Sequence, residues 1–312
     1  MSAAVSDRPA APTAPDPLHA PVLVDEVLRW LTPVPPGTWI VDGTVGLGGH
    51  AEALLSHARE SRLLGLDRDA ETLALAARRL APFGGRSVLR HADFRDLDAE
   101  ARACGAAPAH AVLLDLGLSS FQLQRSGRGF SFQGEEPLDM RFDTRQPLTA
   151  AELVMRTPEP ELARIIHEYG EEPASRRIAR RLAEARARAP IRTTRQLADL
   201  VASAIPPHRR PRRIHPATRT FQAIRIAVND ELGSLEAALP QGAELLAPGG
   251  RFGVIAFHSL EDRLVKSTFR RLSHSGWRAL TRKPLRPSDD EVHSNPRARS
   301  ARFRVLERGS AP

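Results

Sequence analysis

The chain has 312 residues, 41% of them hydrophobic and 26% charged, with a formal net charge of +8 at pH 7. That length exceeds a usual single domain, so one enlarged domain or two are expected, and the charge fits a polyanionic partner such as a nucleic acid. No run nears the roughly eighteen apolar residues that cross a bilayer, and no basic segment precedes an apolar one at the N-terminus; this excludes a helical membrane span and makes a cytoplasmic protein the expectation. Cys104 is the only cysteine, which excludes an internal disulfide and a cysteine-rich zinc site. The eleven histidines show no ligand spacing, so no metal is expected. Arginine outnumbers lysine 43 to 2, and codon bias accounts for part of that excess without removing the net positive charge.

In chain order, residues 1–17 are rich in Ala, Pro and Asp without periodicity and read as a disordered leader. From His19 the pattern alternates: strand 39–42, helix 48–57, strand 62–67, helix 70–80, strand 87–91 and strand 110–116. Such alternation predicts an α/β fold, a parallel Rossmann-like sheet covered by helices. After Asp143 come Arg-rich helical segments at 160–169, 175–189 and 194–205 with Pro-rich joins. A helix over 221–239, an apolar strand over 251–257 and an alternating strand over 301–307 then resume the sheet. The expected organisation is a discontinuous sheet domain, 18–136 and 217–312, with a helical domain inserted at 137–216.

Between the first strand and its helix lies Val41-Asp42-Gly43-Thr44-Val45-Gly46-Leu47-Gly48-Gly49-His50. Glycines there let a backbone approach a ligand closely, and the helix N-terminus adds free N–H donors. Eighteen residues beyond Gly49 the next strand ends in Asp67, placed to accept both hydroxyls of a ribose, which implies an adenosine-containing cofactor. Gly46, Gly48 and Ala51 also satisfy the dinucleotide fingerprint, so a nicotinamide-dependent oxidoreductase is a competing reading. However, Asp42 four residues before Gly46 forms D-x-x-x-G-x-G, which looks like motif I of S-adenosylmethionine (SAM) methyltransferases, and a carboxylate there would repel a pyrophosphate. It could hold the cofactor's amino-acid end instead. Phe94, after the third strand, can pack on an adenine while Asp93 faces its exocyclic amine.

The apolar run Leu113-Leu114 enters Asp115 and then the loop Leu116-Gly117-Leu118-Ser119-Ser120-Phe121-Gln122, at the strand end where open α/β sheets bind ligands. Asp115 could touch the cofactor and orient an acceptor amine, and Gln122 could hydrogen-bond either ligand. No cysteine nucleophile lies in this loop and only Lys266 and Lys283 exist, so methylation at a pyrimidine carbon or a ribose oxygen is disfavoured and an exocyclic amine remains. His258 and Ser259 also emerge at a strand end; His258 could take a proton or bind phosphate, or make a structural hydrogen bond, while Glu261 and Asp262 cap the next helix. Basic groups at Arg209, Arg210, Arg212, Arg213, Arg219, Arg225, Arg297, Arg299, Arg302 and Arg304 are candidate phosphate contacts, although runs of charge are commonly only solvated faces. A non-catalytic RNA-binding protein on the same fold is the third reading.

Taken together, these segments closely resemble the ribosomal RNA small subunit methyltransferase H family, also called the MraW family. The likeness runs from His19-x-Pro21-Val22-Leu23 through Gly48-Gly49-His50, Leu66-Asp67-Arg68-Asp69, the block from Asp115 to Met140, Tyr169-Gly170-Glu171-Glu172, His215-Pro216-Ala217-Thr218-Arg219-Thr220-Phe221-Gln222 and Phe257-His258-Ser259 to Asn295-Pro296-Arg297-Ala298-Arg299-Ser300-Ala301. The resemblance implies methylation of N4 of a cytidine in the decoding region of 16S rRNA, with SAM held by Gly48, Gly49, His50, Asp67, Phe94, Asp115 and Gln122. It also implies a helical insert for RNA recognition. The decoding-centre setting points to an assembled small subunit as substrate, and a monomer and a homodimer are both compatible with the sequence. Gln124 and Phe142 depart from the family pattern at positions not expected to touch the cofactor.

Overall fold

A computed structural model describes residues 20–32, 34–210 and 214–309. The expected leader, His19, and Arg212 and Arg213 lie outside the described residues. Seven strands form one sheet in the order β3-β2-β1-β4-β5-β7-β6. They are β1 (Trp39–Asp42), β2 (Arg62–Asp67), β3 (Ser87–His91), β4 (Ala109–Asp115), β5 (Leu246–Ala256), β6 (Trp277–Ala279) and β7 (Arg302–Arg308). The first five run parallel and β7 is antiparallel to β5 and β6. Strand order reverses at β1, which is flanked by β2 on one side and β4 on the other, so a crevice opens at the carboxyl ends of β1 and β4.

Each strand pleat divides its side chains between two faces. Ile40, Leu63, Leu113 and Phe303 enter one core with α1 (Val24–Leu31), α2 (Gly49–His57) and α3 (Ala70–Leu80). Val41, Leu64, Val112 and Val254 enter the other, against α4 (Leu97–Ala103), α11 (Glu231–Glu244) and α12 (Ser259–Leu272). Burial on both faces is why these strands are nearly continuous in apolar residues. Among the described residues, no helix is long and apolar enough to cross a membrane.

A third core is helical, built by α6 (Ala150–Arg156), α7 (Glu159–Gly170), α8 (Ser175–Arg186), α9 (Thr194–Ala204) and α10 (Thr218–Asn229). It draws in Phe130 and, on α10, Phe221, Ile224 and Val228, so the helical layer extends past both ends of the expected 137–216. The helix expected over 221–239 is two helices, broken at Asp230 with φ 46° and ψ 44°. Aspartate tolerates that left-handed conformation, and the break lets α10 pack in the helical core while α11 covers the sheet. Short helices α5 (Ser120–Gln124) and α13 (Asp289–Ser294) complete the chain.

Asn229, at the end of α10, ties these layers together. Its Nδ2 donates to Met140 O at 2.7 Å and Arg225 O at 2.9 Å, and its Oδ1 accepts from Phe142 N at 2.8 Å. Asn229→Ala would leave buried backbone groups unpaired and should cost about 2 kcal/mol, read as a lower urea midpoint with an unchanged slope.

Candidate active site

The crevice at the carboxyl edge of the sheet is a cavity with about 1230 Å³ of empty space, part of it open to solvent. Its walls include Gly43, Thr44, Gly46, Gly49 and His50 from the β1–α2 turn, Asp67 and Arg68 after β2, Phe94, Asp115 with the loop after β4, and Glu231, Leu235 and Glu261. The glycine turn has the geometry its composition predicts. Gly46 and Gly48 have φ of 53° and 80°, and a Cβ on Gly43 would stand 2.5 Å from Leu114 Cδ2. Gly48 is turned away from the cavity toward Ala76 and Leu80, so it shapes the turn.

Asp42 is 1% exposed and does not reach the cavity wall. Its Oδ1 accepts from Thr44 N at 3.1 Å, and Thr44 Oγ1 accepts from Asp115 N at 2.6 Å, so Asp42 fixes the turn that fixes Asp115. Burial pushes the Asp42 carboxyl up to about 7, against the opposing pull of His50 and the Thr44 amide. A carboxyl whose folded pKa is raised loses stability as pH rises from 3.8 to about 7. Asp42→Asn should therefore match the wild type near pH 4 and be more stable by up to about 4 kcal/mol above pH 7, measured by denaturant unfolding across that range.

Asp67 Oδ2 accepts from Gly46 N at 2.9 Å and Oδ1 from Asp69 N at 2.8 Å. These bonds leave acceptor lone pairs facing the cavity. Burial raises its carboxyl to about 6. Asp115 stands across the cavity with Oδ1 buried and without a hydrogen-bond partner among the described residues. Its Oδ2 lies 3.4 Å from His50 Nδ1, while His50 Nε2 is 2.8 Å from Val22 O. Burial disfavours the His50 cation, but the Asp115 and Asp42 carboxylates and the Val22 carbonyl outweigh it and raise its pKa. An imidazolium there holds Asp115 with one nitrogen and the backbone with the other.

Phe94 lines the cavity, as expected. Asp93 does not: its Oδ1 caps Arg95 N at 2.9 Å and its Oδ2 lies 3.2 Å from Arg68 Nη1, so its oxygens are used inside the protein. Phe142, expected to lie away from the cofactor, is on the cavity wall, with the Arg68 guanidinium 4.4 Å from its ring centroid. Gln122 borders the cavity but is neither solvated nor free. Its Nε2 donates to Asp69 Oδ2 at 2.8 Å and its Oε1 accepts from Ser119 N at 3.0 Å.

His258 and Ser259 do not line the cavity. His258 is the N-cap of α12, where its Nδ1 accepts from Glu261 N at 3.4 Å, and Ser259 Oγ donates to Glu171. The structural hydrogen bond foreseen for His258 is the one formed, and Glu261, not Asp262, joins it in the cap. Asp262 instead pairs with Arg302 at 3.5 Å and Arg304 at 2.7 Å. Arg225 is likewise consumed by Glu231 at 2.8 Å, and Arg219 donates to the Glu171 carbonyl. These arginines brace the fold, whereas Arg297 reaches the cavity. Sequence reasoning missed Thr44, Arg68 and Glu231, whose positions carry no periodic or spacing signal.

A model of the MraW methylase family matches residues 16–309. A ribosomal RNA small subunit methyltransferase H of Syntrophotalea carbinolica is 50% identical over 307 residues, covering 93% of this chain and 98% of that protein. Proteins of the same name from Heliobacterium modesticaldum and Symbiobacterium thermophilum are 45% and 47% identical, covering 93% and 92% of this chain and 98% and 96% of theirs. With the matched segment carrying both the glycine turn and Asp115, this chain belongs to the MraW methylase family.

Proposed function

We propose that this chain transfers a methyl group from SAM to the N4 exocyclic amine of a cytidine in the decoding region of 16S rRNA, within the small ribosomal subunit. The observation that carries the reading is the Asp115 carboxylate, at the end of β4 and on the wall of the same cavity as the glycine turn and Asp67. The family membership and the printed names of the relatives support an rRNA substrate.

The residues present fit SAM. Asp67 would accept from the ribose hydroxyls, Phe94 and Leu235 would cover the adenine, and the backbone of Gly43, Gly46 and Gly49 would admit the rest of the molecule closely. When bound, SAM supplies an electrophilic methyl group on a sulfonium. The cytosine amine is a poor nucleophile because its lone pair is delocalised into the ring. The Asp115 carboxylate accepts a hydrogen bond from that amine, which localises the lone pair, and it can hold the proton released. His50 keeps the Asp115 carboxylate oriented from the far side. Among the described residues, no cysteine or lysine is on the cavity wall, consistent with a nitrogen acceptor.

The test is transfer of labelled methyl from SAM to small subunits isolated from a strain lacking this gene, followed by nucleoside mass spectrometry. Label in N4-methylated cytidine is the expected result. Binding of NAD in place of SAM, or SAM binding without any transfer, would overturn it. Transfer to protein-free 16S RNA at an equal rate would contradict the assembled subunit as substrate.

A further inference from the structure

The cavity holds several charged groups, and most of them are neutralised by the protein itself. Arg68 lies 3.2 Å from Asp93 and also donates to Asn229 O at 2.8 Å. Glu231 is held by Arg225, and Glu261 is turned inward as part of the α12 cap, where it accepts from the Phe257 amide at 2.8 Å. What remains turned toward the cavity without an ion-pair partner of its own among the described residues is the Asp67 carboxylate and the Arg297 guanidinium, while Asp115 lies 3.4 Å from the His50 ring.

Arg297 has no carboxylate within ion-pair reach among the described residues, and its one hydrogen bond there is to the Ser120 hydroxyl. It is half-buried, and burial holds its pKa below the usual arginine value with no anion to offset the loss of water. The side chain is not on a loose tail. Its segment is tied to the opposite rim, where Glu291 Oε1 accepts from Leu23 N at 2.7 Å and Asn295 Nδ2 donates to Ala20 O at 3.2 Å, and the neighbouring Ala298 is fully buried. A positioned, partly desolvated guanidinium without a counter-charge is a site for an oxyanion.

We infer that Arg297 binds the carboxylate of the cofactor's amino-acid end. This rests on the SAM reading and deepens it. SAM carries one carboxylate, at its amino-acid end, and Arg297 is a guanidinium on the cavity wall that no carboxylate meets among the described residues, unlike Arg68, which Asp93 holds. Ser120, bonded to Arg297, follows Asp115 on the same loop, which keeps the guanidinium in the methyl-transfer cavity and away from the outer surface. A phosphate of the RNA has the same oxyanion chemistry and is the competing occupant.

Calorimetric titration of the full chain with SAM and with decarboxylated SAM, which lacks only the carboxylate, tests this. Wild type should prefer SAM by about tenfold or more, the scale of one charge-assisted contact. Arg297→Gln should erase the preference by weakening SAM alone, and Arg297→Lys should retain part of it. The inference is overturned if the wild type binds both compounds equally, or if Arg297→Gln weakens both in parallel, the mark of a bracing role through Ser120. It is also overturned if Arg297→Gln leaves SAM binding intact and lowers only RNA affinity and its salt dependence, the mark of a phosphate contact. Wild type that binds neither compound overturns the cofactor reading, and the inference with it.

Discussion

Asp115→Asn is expected to lower methyl transfer to the small subunit by about a hundredfold or more, with SAM affinity falling far less. The amide keeps the shape of the carboxylate and one acceptor oxygen, but it cannot hold a proton and presents a second donor to the amine. The effect should be large because the carboxylate is held on the cavity wall, with Thr44 accepting from the Asp115 amide and His50 lying 3.4 Å from Oδ2. Single-turnover transfer and calorimetric SAM binding on the same preparation separate the two contributions. Unchanged transfer, or a loss confined to SAM affinity, would remove Asp115 from the chemistry.

The second large effect is expected at Asp67. Asp67→Ala should weaken SAM binding by about a hundredfold, because two hydrogen bonds to a charged acceptor each contribute on the order of 1.5 kcal/mol. It also frees Gly46 N and Asp69 N, so the glycine turn loses its brace. The wild-type affinity should depend on pH with a definite sign. Since the Asp67 carboxyl titrates near 6 before ligand binds, SAM affinity should be level above that pH and fall below it, by at most about tenfold per pH unit. The decline is to be measured between pH 5 and 8, with Asp67→Asn as a control that should be flat if Asp67 is the titrating group. A profile of equal steepness in that variant would assign the titration elsewhere.

Much of the fold was legible locally. The strands at β1, β2 and β3 and the helix α3 begin and end where the apolar runs and turn residues place them. The helix after β1 starts at Gly49, one residue later than expected, because Gly48 is the left-handed N-cap. Helix α1, whose first residues follow Leu23 in a left-handed conformation, carried no start signal and was missed. Two stretches were misread for a shared reason. Apolar periodicity continues through Asp230, so nothing in the pattern reports that its two halves serve different cores. The strand expected over 251–257 begins instead at Leu246 and takes in Pro248-Gly249-Gly250, where the pairing to β4 shifts register.

The sequence by itself determined the alternation of β1, β2 and β3 with the helices between them, the glycine turn, and the acids at the ends of β1, β2 and β4. Periodicity, positive-φ glycines and strand ends are properties of neighbouring residues. Only the tertiary structure decided which charges are spent and which are available. Asp42, Asp67 and Asp115 look alike in the chain, but one is buried behind the turn, one braces it, and one stands on the cavity wall beside His50. Likewise, Arg225, Arg302 and Arg304 meet carboxylates while Arg297 meets a hydroxyl and a cavity. The energy of a charge is set by what surrounds it within a few ångströms, and those neighbours come from distant parts of the chain.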